Sequence, residues 1–358
     1  MTKPVLSRRV LNRTFLERQQ LLHREPGTAA ELIERLVGLQ AQAPLAAYVA
    51  LWSRLRDFDP AELSELMTSR QAVRATLLRA TIHLVTADDC LRIWPLVRPV
   101  ADRGFRGAFG KQLAGADIDA VVAYGSELLS QAPYSRTQLR DVLGERWPDW
   151  DANAMAYAVS YLLGTVQVTP RGVWGETGQA ALQTIESWLG RPPAPAPSID
   201  DLVLRYLAAF GPASVADVQM WSGLTRLREV VERLDVRRYA DEDGRELYDV
   251  PDGVLTDAET PAPVRFLPEY DNLLLGHADR RRVNPVGRPV PLPPGNGAAI
   301  GTVLIDGDYR ADWRHHRGKS LQVTPHEPIT AAEQAAVEAE AVNLLGLIGS
   351  TDTPVVVS

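Results

Sequence analysis

The sequence predicts an α+β protein, mainly α, built from three tandem winged-helix units, a small antiparallel β-barrel and a C-terminal helix. Helix-start signals followed by short β-like runs recur three times before residue 260, which is the element order of winged helices. Beyond residue 260 the pattern changes to short β-like runs around a loop rich in proline and glycine, residues 284–297. A chain of 358 residues is also long enough for several domains.

The first unit is assigned to residues 1–125. Its helical patterns cover Leu6–Leu22, Thr28–Gln40 and Leu45–Leu55. Another helix begins at residues 59–62 (Asp-Pro-Ala-Glu), where aspartate is the N-cap and proline takes the first helical position. Two β-like runs, Ala72–Leu78 and Thr81–Thr86, then form the predicted ribbon.

The second unit is assigned to residues 126–190. It contains a capping box at residues 135–138 (Ser-Arg-Thr-Gln), a helix over Asp151–Leu163 and a β-like run at Thr165–Val168. Pro170-Arg171-Gly172 predicts the turn that follows this run.

The third unit, within residues 191–260, follows a stiff proline-rich linker at residues 191–197. Its helices start at Ser198 and Ser214 and include a pattern over Leu224–Leu234. The final ribbon covers Val236–Val250, and its Asp243-Gly244 pair favours a type I′ turn.

The last region, residues 261–358, is predicted to be a partly closed antiparallel barrel covered by an amphipathic helix at Thr330–Leu347. The β-like runs are Val264–Leu267, Asn272–Leu275, Ala298–Ile305, Asp308–Trp313 and Leu321–Thr324.

Composition is that of a soluble globular protein with no apolar run of membrane length, so we expect a cytoplasmic location. One cysteine, Cys90, and six scattered histidines argue against a metal site, and no phosphate loop or dinucleotide fingerprint predicts a cofactor. The net charge of −7 is unusual for a protein that binds DNA. However, 35 of the 38 basic residues are arginine, and several of them are clustered.

One segment, Leu39-Gln40-Ala41-Gln42-Ala43-Pro44, has the clearest chemical potential. The predicted helical register directs Gln40 along an apolar face, where a buried amide requires specific hydrogen bonds. Pro44 ends the helix and leaves Gln42 where its amide can reach into a cleft. From spacing alone, a helix cap or a packed polar contact is the more common interpretation.

Several stretches together resemble the helix-turn-helix family of bacterial DNA glycosylases typified by AlkZ and YcaQ. They are the Gln-x-Gln element after Leu36-Val37-Gly38-Leu39, the ribbon Arg79–Val85, residues 267–276 (Leu-Pro-Glu-Tyr-Asp-Asn-Leu-Leu-Leu-Gly) with Asp279–Arg282, and Ile305-Asp306-Gly307 through Arg314. The resemblance spans nearly the whole chain. It implies three tandem winged helices, a C-terminal β-barrel and a positively charged channel.

The resemblance implies that Gln40 and Gln42 are catalytic. Members with glutamine at the second position unhook bulky alkylpurine crosslinks, whereas the YcaQ branch has aspartate there, so this sequence resembles the AlkZ branch. The implied reaction is monofunctional excision of N7- or N3-alkylated purines from duplex DNA, including interstrand crosslinks. In some members the activity provides self-resistance to azinomycin-type alkylators.

The implied partner is double-stranded DNA with alkylated purines, bound by a monomer without metal or cofactor. The candidate DNA-binding residues are Arg79, His83, Arg280, Arg281, Arg282, Arg314, His315, His316, Arg317 and Lys319. For His83 a structural role remains open, and for Arg280–Arg282 and Arg314–Lys319 a solvated-surface role remains open. The resemblance also implies a nucleoid-associated location. Two alternatives also stay open: a non-catalytic winged-helix regulator or architectural protein, and a barrel that binds a small molecule.

Overall fold

The computed structural model describes residues 3–291 and 300–358, which form two compact units. The first, here called the composite unit, comprises residues 3–58, 203–218 and the described part of 227–358. The second, the inserted unit, comprises residues 59–202 and 219–226. This division does not test the winged-helix boundaries at residues 125, 190 and 260, which stay predictions.

The described helices and strands are as follows. The α-helices are α1 Arg8–Arg18, α2 Ala29–Arg35, α3 Ala46–Trp52, α4 Pro60–Thr68, α5 Ala87–Phe109, α6 Ile118–Gln131, α7 Arg136–Arg146, α8 Ala152–Leu162, α9 Ile185–Leu189, α10 Ile199–Phe210, α11 Val215–Ser222, α12 Arg228–Arg233, α13 Asn272–Leu275 and α14 Ala331–Leu347. The strands are β1 Val5–Leu6, β2 Leu39–Gln40, β3 Ala72–Thr76, β4 Ile82–Thr86, β5 Tyr134–Ser135, β6 Thr165–Gln167, β7 Ala181–Thr184, β8 Arg237–Asp241, β9 Glu246–Asp249, β10 Arg265–Leu267, β11 Gly301–Ile305, β12 Asp308–His316, β13 Ser320–Pro325 and β14 Val355–Val357.

The C-terminal sheet has the order β10-β11-β12-β13-β14 and is open among the described residues. The predicted barrel is therefore wrong. Three neighbouring pairs are antiparallel, but β14 joins β13 in parallel, so the last strand extends the sheet at an edge instead of closing it. The predicted C-terminal helix is confirmed as α14, whose Val337, Ala341 and Leu344 pack in one core with Phe266 and Trp313.

A second correction concerns the predicted strand Asn272–Leu275, which is the short helix α13. Asp271 is its N-cap and accepts a hydrogen bond from the Leu273 amide at 2.9 Å, so local capping outweighs the apolar β-like pattern. Part of the predicted loop 284–297, and the start of the run at Ala298, lie outside the described residues.

The hairpin of β8 and β9 was predicted with a type I′ turn, and this turn type is wrong. Of the Asp243-Gly244 pair only Gly244 has a positive φ, 78°, whereas type I′ requires positive φ at both positions. The strands themselves pair antiparallel as predicted, and β1 adds to β8 in parallel.

The inserted unit contains the predicted ribbon, in which β3 and β4 pair antiparallel from Ala72↔Thr86 to Thr76↔Ile82. Strands β6, β7 and β5 continue this sheet beyond β3. The predicted capping box of Ser135 and Gln138 is confirmed at the start of α7. The sequence analysis missed the 23-residue helix α5, because Pro95 and Pro99 within it are residues that usually end helices. No helix among the described residues is both long and apolar enough to cross a membrane.

Candidate active site

The backbone before the two candidate glutamines leaves helix α2 through a Schellman motif. The Gly38 amide donates to the Ile33 carbonyl at 2.9 Å and the Val37 amide to the Glu34 carbonyl at 3.1 Å, which is the motif's paired pattern. Val37 therefore occupies the C′ position with a φ of 56°, and Gly38 follows at 92°. A β-branched residue is strained in this left-handed region, at a cost on the order of 1–3 kcal/mol. The helix thus ends at Arg35, five residues before Gln40.

The predicted helix over Thr28–Gln40 is consequently too long. Gln40 lies in the short strand β2, and Gln42 lies in the bend that follows. Gln40 is buried, at 8% exposure, Ala41 is fully buried, and Gln42 is partly exposed. The burial of Gln40 agrees with the sequence analysis, but an extended segment and not a helix face is responsible for it.

The segment from residue 267 to 276 fixes the backbone of this glutamine segment. The Asn272 side-chain amide, which is itself buried, donates to the Gly38 carbonyl at 2.7 Å. Asn272 is the first residue of α13, so the capped start of that helix positions the bond. Part of the stretch that carries the family resemblance therefore contacts Gly38, two residues before the Gln-x-Gln element.

Asp271, the N-cap of α13, is linked through Arg54 to helix α3. Arg54 donates to both carboxylate oxygens of Asp271, at 3.0 and 2.8 Å, and also to the carbonyls of Gln19 and Ala50. Both ionic side chains are buried, at 0% and 1% exposure. Removing one partner of such a pair typically costs about 3–5 kcal/mol, because the other charge is left buried. Gly38, before the glutamine segment, and helix α3, after it, are thus both linked by hydrogen bonds to the start of α13.

Glu269 is a buried acid that the sequence analysis did not single out. It is 7% exposed, and burial raises the pKa of its carboxyl group. Its position two residues before Asp271 places it in the stretch that carries the family resemblance. The structure pairs it with no cation among the described residues.

The predicted cluster Arg280–Arg282 forms a short 3₁₀ helix capped by Asp279. The Arg281 guanidinium is exposed but donates to Asp279 and to Asp243. Arg282 is buried and donates to the Phe210 and Pro212 carbonyls at 3.4 and 3.1 Å. Arg280 is partly buried, and burial lowers its pKa.

The predicted cluster from Arg314 to Lys319 lies at the tip of the β12–β13 hairpin. His316 pairs with Ser320, and the turn between them contains Gly318 at a φ of 70°. The exposed side chains of this hairpin tip are Arg314, His316, Arg317 and Lys319. None of its arginine or lysine side chains has an ion-pair partner among the residues that the structure describes. His315 is partly buried, and burial together with the nearby Arg317 lowers its pKa.

Arg79 and His83 lie in the inserted unit. Arg79 has a φ of 54° and donates to the Trp221 carbonyl. His83 is buried between the Thr81 carbonyl, 3.0 Å from Nδ1, and the Arg79 guanidinium, 3.5 Å from Nε2. Burial lowers the pKa of His83 to about 3, so the imidazole is neutral at pH 7. The structure therefore gives His83 internal partners.

Comparison with known proteins identifies the class of enzyme that carries these features. The sequence model of a family described as "DNA glycosylase AlkZ-like" matches residues 33–347, a range that includes the glutamine segment, α13 and the β12–β13 hairpin. The protein is therefore a DNA glycosylase. More particularly, the chain belongs to the AlkZ-like DNA glycosylase family.

A solved structure gives the same fold. The Streptomyces sahachiroi DNA glycosylase AlkZ superposes with a TM-score of 0.77 at 18% sequence identity, covering 99% of this chain and 100% of that chain. No curated protein sequence matches the chain significantly.

Proposed function

We propose that this glycosylase excises N7- or N3-alkylated purines from duplex DNA, with Gln42 orienting the attacking water and Gln40 assisting it. The observation that carries the proposal is the backbone of the glutamine segment. Residues i and i+2 of an extended chain point to the same side, whereas two helical residues so spaced would diverge by about 200°. Gln40 lies in strand β2 and Gln42 in the bend after it, so the two amides are not placed on opposite faces of a helix, and we infer that they act on one site.

Burial supports different roles for the two glutamines. Gln40 is buried, and Gly38, two residues before it, accepts a hydrogen bond from Asn272, which suits a residue that positions its partner. Gln42 is partly exposed, which suits the residue that meets the substrate. An amide offers both a donor and an acceptor, so it can hold a water molecule in one orientation without changing its own charge.

The chemistry needs little more than this orientation. An N7- or N3-alkylated purine already carries a positive charge, so the bond from its nitrogen to C1′ breaks with the electron pair going to the purine. The water oxygen bonds to C1′ and its proton is lost to solvent, leaving an abasic site. Because no lysine lies within the glutamine segment, we infer a monofunctional reaction without a Schiff base.

Interstrand crosslinks are the substrate class that we infer beyond simple alkylpurines. A crosslinked purine is tethered to the opposite strand and cannot rotate fully into a closed pocket, in contrast to the usual extruded nucleotide. The partly exposed residues 42–44 and exposed Leu45 suit an open, groove-facing site that reaches the base within the duplex. Self-resistance to a natural alkylating agent is one role that such an activity would serve.

We further propose that the hairpin tip contacts phosphates, since its arginine and lysine side chains have no ion-pair partner within residues 3–291 and 300–358. We do not extend this role to Arg282 or His83, whose polar groups are engaged inside the protein.

The test is base release from a duplex that carries N7-methylguanine, measured as alkali-labile abasic sites. We expect Gln42→Ala to lower the single-turnover rate about 100-fold, the usual scale for removing one positioned catalytic group, with duplex affinity unchanged. Gln112→Ala is the matched control, because Gln112 is exposed and lies in the other unit.

Full activity of Gln42→Ala would reject the catalytic assignment. Duplex binding without base release from any alkylated purine would reject the substrate class. A panel from N7-methylguanine to an N7-linked interstrand crosslink then separates simple excision from unhooking.

A further inference from the structure

Helix α3 begins after Leu45, which makes no side-chain cap. Every other α-helix of the described chain except α12 starts at a serine, threonine or aspartate whose side chain accepts a backbone N–H of the first turn. Leu45 makes no such bond. Its backbone is in the right-handed helical region, at φ −86° and ψ −9°, and does not have the extended conformation of a capping residue.

Comparison with α12 makes the exception sharper. Its N-cap is also a leucine, Leu227, but that side chain is 3% exposed and contributes to the core. Leu45 is 52% exposed. It is the only leucine among the exposed large hydrophobic residues of the described chain, which otherwise are valines. Leu45 therefore gains neither a cap nor core packing.

The backbone that presents Leu45 is held firmly. Its carbonyl accepts hydrogen bonds from the amides of Tyr48 and Val49, at 3.1 and 3.4 Å, and the Ala46 amide donates to the Ala43 carbonyl at 3.2 Å. The helix that follows is buried from Ala46 to Leu51. An exposed apolar side chain thus projects from a rigid base three residues after Gln42.

We propose that Leu45 is a DNA-contacting wedge that inserts from the minor groove between the base pairs beside the nucleotide whose glycosidic bond is cleaved. This inference rests on the proposed role of Gln42, since it uses that residue to locate the reacting nucleotide. C1′ is accessible from the minor groove, and proteins that act there commonly insert leucine or similar side chains into the base stack. The wedge loosens the stack around a purine that cannot rotate out, and the apolar side chain loses its water on binding.

A single substitution separates this function from a structural role, because only the wedge predicts lost activity in a variant of unchanged stability. The Leu45 side chain is 52% exposed, so we expect Leu45→Ser to change the free energy of unfolding by no more than about 0.5 kcal/mol. The same substitution removes the wedge, so we expect at least a tenfold lower single-turnover rate of base release. Leu45→Met, which keeps an apolar side chain of similar volume, should retain most of the rate.

A second measurement detects unstacking of the bases by Leu45 without relying on catalysis. In a duplex with 2-aminopurine beside an uncleavable abasic-site analogue, unstacking raises the fluorescence. We expect the wild-type protein and Leu45→Met to raise it and Leu45→Ser to leave it near the value of free duplex. Val254→Ser is the control, because Val254 is 78% exposed and lies outside the glutamine segment.

The results separate the wedge from the proposed chemistry. If Leu45→Ser keeps both the rate and the fluorescence change within twofold of wild type, the wedge is rejected. If Gln42→Ala remains fully active but Leu45→Ser still abolishes the fluorescence change, the catalytic assignment fails and the wedge stands. A lower melting temperature of Leu45→Ser together with lost activity would assign the leucine to stability and overturn the proposal.

Discussion

Two segments of the composite unit are both rich in basic residues but have different surroundings. In Arg280–Arg282 the exposed Arg281 is paired with Asp279 and Asp243, and Arg282 is buried against backbone carbonyls. In the hairpin tip, Arg314, Arg317 and Lys319 are exposed and have no ion pair among the described residues. The difference teaches that clustered arginines indicate DNA binding only where no nearby carboxylates neutralise them.

The internal partners of the first segment come from distant parts of the chain. Asp243 is in the β8–β9 hairpin, and Asp217 in α11 accepts hydrogen bonds from the Ala278 and Asp279 amides. Asp217 also attracts the charge of Arg282, although burial still lowers the pKa of that arginine. The first segment therefore stabilises the fold, whereas the second is available to a polyanion.

The largest effect expected from this comparison is on stability at Arg282. In Arg282→Ala the carbonyls of Phe210 and Pro212 each lose the hydrogen bond from Arg282, and Asp217 loses a neighbouring positive charge. We expect the free energy of unfolding, measured by urea denaturation, to fall by about 2–4 kcal/mol. Duplex affinity of the folded fraction should not change. A stable variant with weakened DNA binding would show that Arg282 contacts DNA after all.

The hairpin tip should behave in the opposite way. The triple variant Arg314→Ala, Arg317→Ala and Lys319→Ala removes exposed charges, so the free energy of unfolding should change by less than about 0.5 kcal/mol for each substitution. Each lost phosphate contact reduces the slope of log affinity against log salt by about 0.9. We therefore expect a slope shallower by up to about three, measured by fluorescence anisotropy. Parallel lines for variant and wild type would remove the hairpin tip from the DNA interface.

Much of the local structure could be predicted from the sequence, because its signals are local. The capping box at Ser135, the N-cap at Asp59 and the β3–β4 ribbon all formed where side chains determine their own backbone. The Schellman motif was missed, because a valine at C′ is not a residue that signals a helix end. The open sheet could not be predicted from local sequence either, because β14 pairs in parallel with β13, a strand that is not adjacent to it along the chain.

The candidate site was located by resemblance and not by the periodicity argument. Gln40 was predicted on a helix and lies on a strand, yet its burial came out as expected. The Asn272 bond to Gly38 joins residues more than 200 positions apart, so no local pattern could have indicated it. Long-range polar contacts of this kind decide which of the predicted side chains are available to a substrate.

The smallest expected effect is the pH dependence of the free energy of unfolding, which arises from buried groups around the first segment. His277 is buried near Arg282 and Asp217, its Nε2 is 3.0 Å from the Phe210 carbonyl, and burial is the main reason that its pKa is lowered to about 3. Its unfolded pKa is about 6.5, so below that pH the unfolded chain binds a proton that the folded chain excludes, and stability falls as pH decreases. Asp217, whose pKa is lowered, stays ionised in both states until about pH 4 and does not offset this loss.

We therefore expect His277 to contribute a decrease in the free energy of unfolding that approaches about 1.4 kcal/mol per pH unit between pH 6 and 4.5. His83, with a pKa also lowered to about 3 by burial, adds a change of the same sign in the inserted unit. Urea denaturation of wild type and His277→Gln across this range measures the contribution, which appears as a shallower pH dependence in the variant. Gln112→Ala is the control, since that side chain is exposed and carries no ionisable group. Equal pH dependence of wild type and His277→Gln would mean that the buried imidazole accepts a proton in the folded protein. The groups around Arg282 would then not be sealed from solvent, and in this respect the first segment would not differ from the exposed hairpin tip.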